Sequence, residues 1–206
     1  MAATDLLTLE QAQDAVRVSR SNTVHAGRLT TLVTAVSVAI DELVGPVVKR
    51  TITGETHRSG CSAVWLRYTP VASVTTVKVW QQGVSSTLAA ETLASSGGYL
   101  AEMHPDDPAL LSGVLLRRSG WSSILWEPGT VEVTYVAGRY DNTAAVAGTR
   151  WQQAAVLALS NAWQGIVDTV ASVGEYEQPV SAFPAVVLPR SVRDLLADQI
   201  QYRGLA

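Results

Sequence analysis

A chain of 206 residues with 47% hydrophobic content can build one domain with a sizeable core and is too apolar to be disordered. Fifteen Lys and Arg against eighteen Asp and Glu leave a formal net charge of -3, which argues against a protein that grips nucleic acid by broad phosphate neutralisation. The single cysteine, Cys61, excludes an intrachain disulfide and points to no oxidising compartment.

The stretch MAATDLLTLEQAQ lacks the basic and apolar regions of a signal peptide, so a soluble chain made in the cytoplasm is expected. Thr8 with Gln11 forms a capping box, and Leu9, Ala12 and Val16 recur at helical spacing, which predicts a short helix from Leu9 to Val18. After the polar break SRSNT, Leu29, Leu32, Val33, Val36, Ile40, Leu43 and Val44 fall on one face of a second helix. It should run about 20 residues, or roughly 30 Å. Gly45 and Pro46 stop it.

From Val47 the period changes from helical to alternating. The runs VVKRTIT, SAVWLRY, SVTTVKVWQ, GYLAEM, GVLLRR and TVEVTYV are separated by Gly, Pro, Ser and Asp punctuation, which predicts five or six strands of a compact antiparallel β module. In the last run Val131, Val133 and Tyr135 share one face and Glu132 and Thr134 the other, so that strand has one wet side. Gly138 ends it. Beyond the small-residue loop DNTAAVAGT, apolar positions run from Trp151 through Ala154, Ala155, Ala158, Ala162, Ile166 and Val170, with further apolar residues on the flanks. A helix apolar on most of its circumference must be covered on more than one side, by its own fold or by a neighbouring subunit. VGEYEQPVSAFPAVV reads as a loop, and Pro189 sits where a last helix can start, with Val192, Leu195, Leu196 and Ile200 on one face. The most apolar window, Ala154 to Trp163, is short of the roughly 20 residues that span a bilayer.

Catalytic signals are sparse. No Gly-Lys-Ser/Thr phosphate loop and no G-x-S-x-G elbow occurs. His25, His57 and His104 lie far apart with no metal-ligand spacing and read as surface or turn histidines. His104, Asp106 and Asp107 stand together in MHPDDP, but Pro105 and Pro108 bracket them, which favours a turn over acid-base work. Cys61 has no neighbour in sequence that would activate it. Six tryptophans, Trp65, Trp80, Trp121, Trp126, Trp151 and Trp163, interleaved with Arg67, Arg117 and Arg118, are compatible with a stacking groove for single strands. Core packing and oligomer anchors are the favoured account, because the basic residues are few and scattered. No catalytic residue, cofactor or metal site is therefore assigned.

Five pieces in this order resemble the head-to-tail connector (adaptor) proteins of long-tailed, siphovirus-like bacteriophages. They are LLTLEQAQDAVRV, RLTTLVTAVSVAIDELVG, the return strand VEVTYVAGRYD, the helix RWQQAAVLALSNAW, and LPRSVRDLLADQI. The resemblance implies an α+β fold, a helical core of short, long, long and C-terminal helices with an antiparallel β module inserted between the second and third. It implies three stretches: N-terminal helices over 1–46, a β-rich module over 47–137, and C-terminal helices with a portal-docking tail over 138–206. Gly45, Pro46, Gly138 and Pro189 mark the structural junctions. It further implies a virion protein at the head-tail junction, present in the host cytoplasm during assembly. There it would form a homo-oligomeric ring, commonly dodecameric, that binds the portal protein and downstream neck or tail proteins. Double-stranded DNA would pass through the lumen without sequence-specific binding, and neither a membrane nor a cofactor is involved. The docking contacts carried over by position are Arg190, Arg193, Leu195, Leu196 and Ile200. The β module is larger than the hairpin of simpler family members. Alternatives are another neck ring, such as a stopper or terminator, a β-module ligand-binding protein, and an enzyme using His104, Asp106, Asp107 and Cys61.

Overall fold

The computed structural model describes residues 2–92, 97–120, 122–172 and 188–199. The chain divides into two compact units, one formed by Met1–Val48 with Tyr140–Ala206 and the other by Lys49–Arg139.

In the first unit, α1 spans Leu9–Ala15 and opens on the expected capping box. The Thr8 amide donates to Gln11 Oε1 at 2.8 Å and the Gln11 amide to Thr8 Oγ1 at 3.3 Å. The helix stops short of Val18 because Arg17 turns the backbone at φ 57°. Helix α2, Thr23–Val44, is capped by Asn22, whose side chain accepts from the His25 amide. Its buried stripe is Leu29, Leu32, Val33, Val36, Ile40 and Val44. It ends at Gly45, where φ is 82°, a left-handed value that favours glycine. Asp41 then ties down the exit, since its carbonyl accepts the Gly45 amide at 2.9 Å and its Oδ1 the Val47 amide at 3.1 Å. After a 3₁₀ turn at Thr143–Val146, α3 runs over Arg150–Ser172 and presents Trp151, Ala154, Ala155, Ala158 and Leu159 to the same core. The last helix, α4, covers only Arg190–Leu195, followed by a 3₁₀ turn at Ala197–Gln199. Pro189 is its N-cap rather than its first helical residue. Among the described residues no helix is long and apolar enough to cross a membrane.

The second unit is one antiparallel sheet of eight strands: β1 Arg50–Arg58, β2 Ala63–Trp65, β3 Val71–Gln81, β4 Val84–Leu88, β5 Gly98–Met103, β6 Leu111–Ser119, β7 Ser122–Ile124 and β8 Thr130–Ala137. The order is β1-β8-β3-β6-β2, with β4 added to β3 and both β5 and β7 to β6. Strand β8 shows the predicted alternation, with Val131, Val133 and Tyr135 fully buried and Glu132 and Thr134 on the wetter face. Trp126 is the largest buried side chain of the sheet core and donates its indole N–H to the Leu115 carbonyl at 3.3 Å. With Val64, Val77, Val79 and Leu115 these residues form a core belonging to the sheet alone.

The expected fold class is corrected by this sheet. The protein is not a helical core carrying a β insertion as an accessory. It is mostly an antiparallel sheet of eight strands with its own apolar interior, accompanied by four helices of which three reach seven residues. The physical reason is the long pairing of β3 with β8 and of β6 with β5, which lets the strands enclose side chains on their own. Val47 and Val48, read as the start of the first strand, are buried in the helical unit's core, and β1 begins at Arg50.

Candidate interaction surfaces

The α4 segment is held by its apolar face. Val192 and Leu196 are fully buried, Leu188 is buried and Leu195 is half-buried against the same cluster. Leu196 is therefore a seating residue of the helix, with no surface left for a partner. Arg190 and Arg193 point the other way and are exposed, with Arg190 Nε 3.7 Å from Asp194 Oδ2. The start of α3 is tied to the same end, since Arg150 Nη1 donates to Asp198 Oδ2 at 2.7 Å and this pair holds the Asp198 carboxyl below its usual range. Ile200 lies outside the described residues, as do 173–187 and Trp121.

Of the junction residues, Gly45, Pro46 and Gly138 lie within a few residues of the points where the chain passes between units, whereas Pro189 lies at the start of α4 inside the helical unit. In the helical unit Val48 bridges Tyr140, whose amide donates to the Val47 carbonyl at 3.0 Å. In the sheet Arg50 pairs with Ala137. Gly138 follows at φ 127° and donates its amide to the Pro70 carbonyl at 2.9 Å. A side chain at that φ would strain the backbone, which is the demand glycine meets there. Pro46 is buried beside Gly45.

The residues considered for chemistry are structurally engaged. His104 Nδ1 accepts the Asp106 amide at 3.2 Å and Asp107 Oδ1 the Ala109 amide at 3.0 Å, which makes MHPDDP a turn. Cys61 is exposed and its thiol donates to the Ala63 carbonyl. No group of three or more His, Cys, Asp or Glu side chains gathers as for a metal ion among the described residues. The tryptophans are divided between the units. Trp151 is buried under the Arg150 guanidinium and Trp163 meets the His25 ring edge-on at 5.4 Å, while Trp80 donates to Glu132 Oε2 at 2.9 Å. Of the described tryptophans Trp65, 70% exposed, is the most open to solvent, followed by Trp80 at 38%.

One polar cluster escapes sequence reasoning. Glu55 Oε2 accepts the Tyr135 hydroxyl at 2.6 Å, and Glu55 Oε1 accepts the Arg67 amide at 2.9 Å and lies 2.7 Å from His57 Nε2. The Tyr68 amide donates to Tyr135 Oη at 3.2 Å. Burial opposes the charge on Glu55, but the adjacent His57 imidazole and the hydrogen bonds from Tyr135 and Arg67 together outweigh it and hold the carboxyl below its ordinary range. Burial, reinforced by Glu55, pushes the Tyr135 phenol far above its usual value. The arrangement pins the stretch after β2 onto β1 and β8. His57 is thus a partly buried strand residue, correcting its reading as a surface or turn histidine. Gly-Glu-Thr-His places Glu55 and His57 on one face of a strand, but the partners at 67, 68 and 135 carry no signal in local spacing.

Two solved structures share this fold. The first is a chain from the neck of an empty gene transfer agent (GTA) particle computed with C6 symmetry, with TM-score 0.60 and 17% identity over 100% of this chain and 96% of that one. The second is a chain from the virion of a native gene transfer agent particle, with TM-score 0.52 and 19% identity over 98% of this chain and 92% of that one. No protein-family model matches the chain, and no curated protein matches it. At such identities the likeness speaks to the fold alone.

Proposed function

We propose that this chain is a structural subunit of a phage-type neck, a head-to-tail adaptor that forms a ring below the portal, extends the DNA channel and offers the tail a platform. The single observation that carries the reading is the full-length likeness to a chain of a symmetric particle neck. The disposition of the side chains is in keeping with a molecule that works by shape. Its histidines, acids and cysteine hold turns and strands, while apolar side chains such as Trp65, Val84 and Met103 are left exposed. A copy number of twelve suits both the adaptor resemblance and a sixfold-symmetric surround. The portal is met through α4, with Arg190 and Arg193 as the outward contacts and Val192 and Leu196 holding the helix in place. The formal charge of -3 lets DNA pass without being gripped.

The test is genetic and structural. Deleting the gene should yield filled heads without tails, and electron cryomicroscopy of intact particles should place the chain in a ring at the portal vertex. Normally tailed particles lacking the polypeptide would sink the proposal.

A further inference from the structure

The first residues of the chain bury an acidic side chain among neutral partners. Asp5 is only 1% exposed and precedes the buried Leu6 and Leu7. Its Oδ2 accepts the Ala2 amide at 2.7 Å and the Thr34 hydroxyl at 3.2 Å, but Thr34 has one hydroxyl proton to divide between Asp5 and the Thr30 carbonyl, also at 3.2 Å. Its Oδ1 is buried and has no hydrogen-bond partner. No Lys, Arg or His among the described residues forms an ion pair with it. A carboxylate taken out of water calls for a counter-charge beside it.

The backbone around Asp5 is tied down on both sides. The Asp5 carbonyl accepts the Thr143 hydroxyl at 2.6 Å, and the Leu6 amide donates to Ser37 Oγ at 2.9 Å, whose own hydroxyl donates to the Val33 carbonyl at 2.8 Å. Asp5 is thereby fixed to α2 and to the 3₁₀ turn before α3, all within the helical unit. One nitrogen already stands in contact with Oδ2, that of Ala2. As a peptide N–H it brings one proton and no charge. As a free α-amino group, with an ordinary pKa of about 7.7–8.0, it brings three protons and a full positive charge to the same point.

We propose that the bond before Ala2 is a processing site, and that the α-ammonium freed there is the counter-charge of Asp5. The reaction is a hydrolysis. Water adds across the Met1–Ala2 peptide bond, its oxygen completes the methionine carboxylate, and both of its protons end on the Ala2 nitrogen, which leaves as an ammonium still joined to the chain. A methionine aminopeptidase is the class of enzyme for this step, and Ala2, small and exposed, suits it. Net charge does not change, because one α-ammonium replaces another; only its place does. The new ion pair sits 2.7 Å across at Oδ2 without movement of the chain, and it locks the N-terminal stretch onto α2. The inference is independent of the adaptor reading.

The test compares two forms of the full chain. Protein made while the host's methionine aminopeptidase is inhibited keeps Met1, and the purified enzyme then removes it, with mass spectrometry confirming each form. In urea titrations near pH 6.5 trimming should raise the folding equilibrium constant about tenfold or more, the difference between a charge-assisted and a neutral hydrogen bond. Asp5→Asn keeps an acceptor and removes the charge, so trimming should then gain nothing. Should that variant fail to fold, the wild-type amine still decides: in the folded trimmed chain Ala2 should react with an acylating reagent about tenfold more slowly than in urea, because the ion pair withdraws the free amine by the same factor. Chains made without inhibitor should begin at Ala2 with a free amine. Equal stability of the two forms, a gain that survives Asp5→Asn, an amine equally reactive folded and unfolded, or an uninhibited chain with any other first residue would each overturn the proposal.

Discussion

Glu55 joins three parts of the sheet unit with one carboxylate, accepting from Arg67 and Tyr135 and lying beside His57. Glu55→Gln keeps the size and loses the charge, so charge-assisted hydrogen bonds worth roughly 1.5–3 kcal/mol each become ordinary ones. The variant should unfold at lower denaturant concentration than the wild type. Its pH dependence has a fixed sign. A carboxyl whose folded pKa is depressed binds fewer protons folded than unfolded, so its stabilisation is fully present above the unfolded value, about 4.3 for Glu. It is lost as pH falls through the lower folded value. Urea titrations should therefore show the gap between wild type and Glu55→Gln closing only below about pH 4.3; a gap constant down to the depressed value would refute the linkage. The capping pair Thr8 and Gln11 was legible from spacing because both partners lie within one turn. Glu55 and Tyr135 were not, because 80 residues separate them.

Among the elements, α4 separates seating from contact. Leu196→Ala empties a fully buried site and should cost about 2–5 kcal/mol, seen as a lower midpoint of the helical CD signal. Arg190→Glu with Arg193→Glu changes only exposed groups, so the midpoint should hold while joining to portal-bearing heads is lost. Unchanged joining would remove α4 from the docking interface. Removing everything after Leu188 confuses the two effects, because Val192 and Leu196 leave the core with it. The long helices were readable from their apolar stripes and from Gly45. Strands β5 and β8 were readable from alternation, but β4 and β7 were passed over. Four of the five residues in Val84–Leu88 are exposed, so no buried face imposes a pattern. The clue lay in the turn before it, where Gln82 and Gly83 have φ 48° and 83°, positive values that mark a tight hairpin.

For the whole molecule, two separate apolar clusters imply two cooperative melts. Calorimetry should resolve them, with Glu55→Gln moving one and Leu196→Ala the other; a single transition displaced by both would show that the units unfold together. The sequence located the change from helical to alternating period near Val47, but undervalued what followed. Short strands look minor one at a time, and their pairing into one eight-stranded sheet is a long-range property that no local window contains.

The neighbouring crossings also bear on how such a gene can change. Val48 touches Tyr140 on one side of the passage and Arg50 touches Ala137 on the other. Ninety-odd codons therefore begin and finish at adjoining points in space. A recombination event that exchanged them for a longer or shorter cassette would leave two stumps already within reach of each other, so lineages could trade this part while keeping the rest.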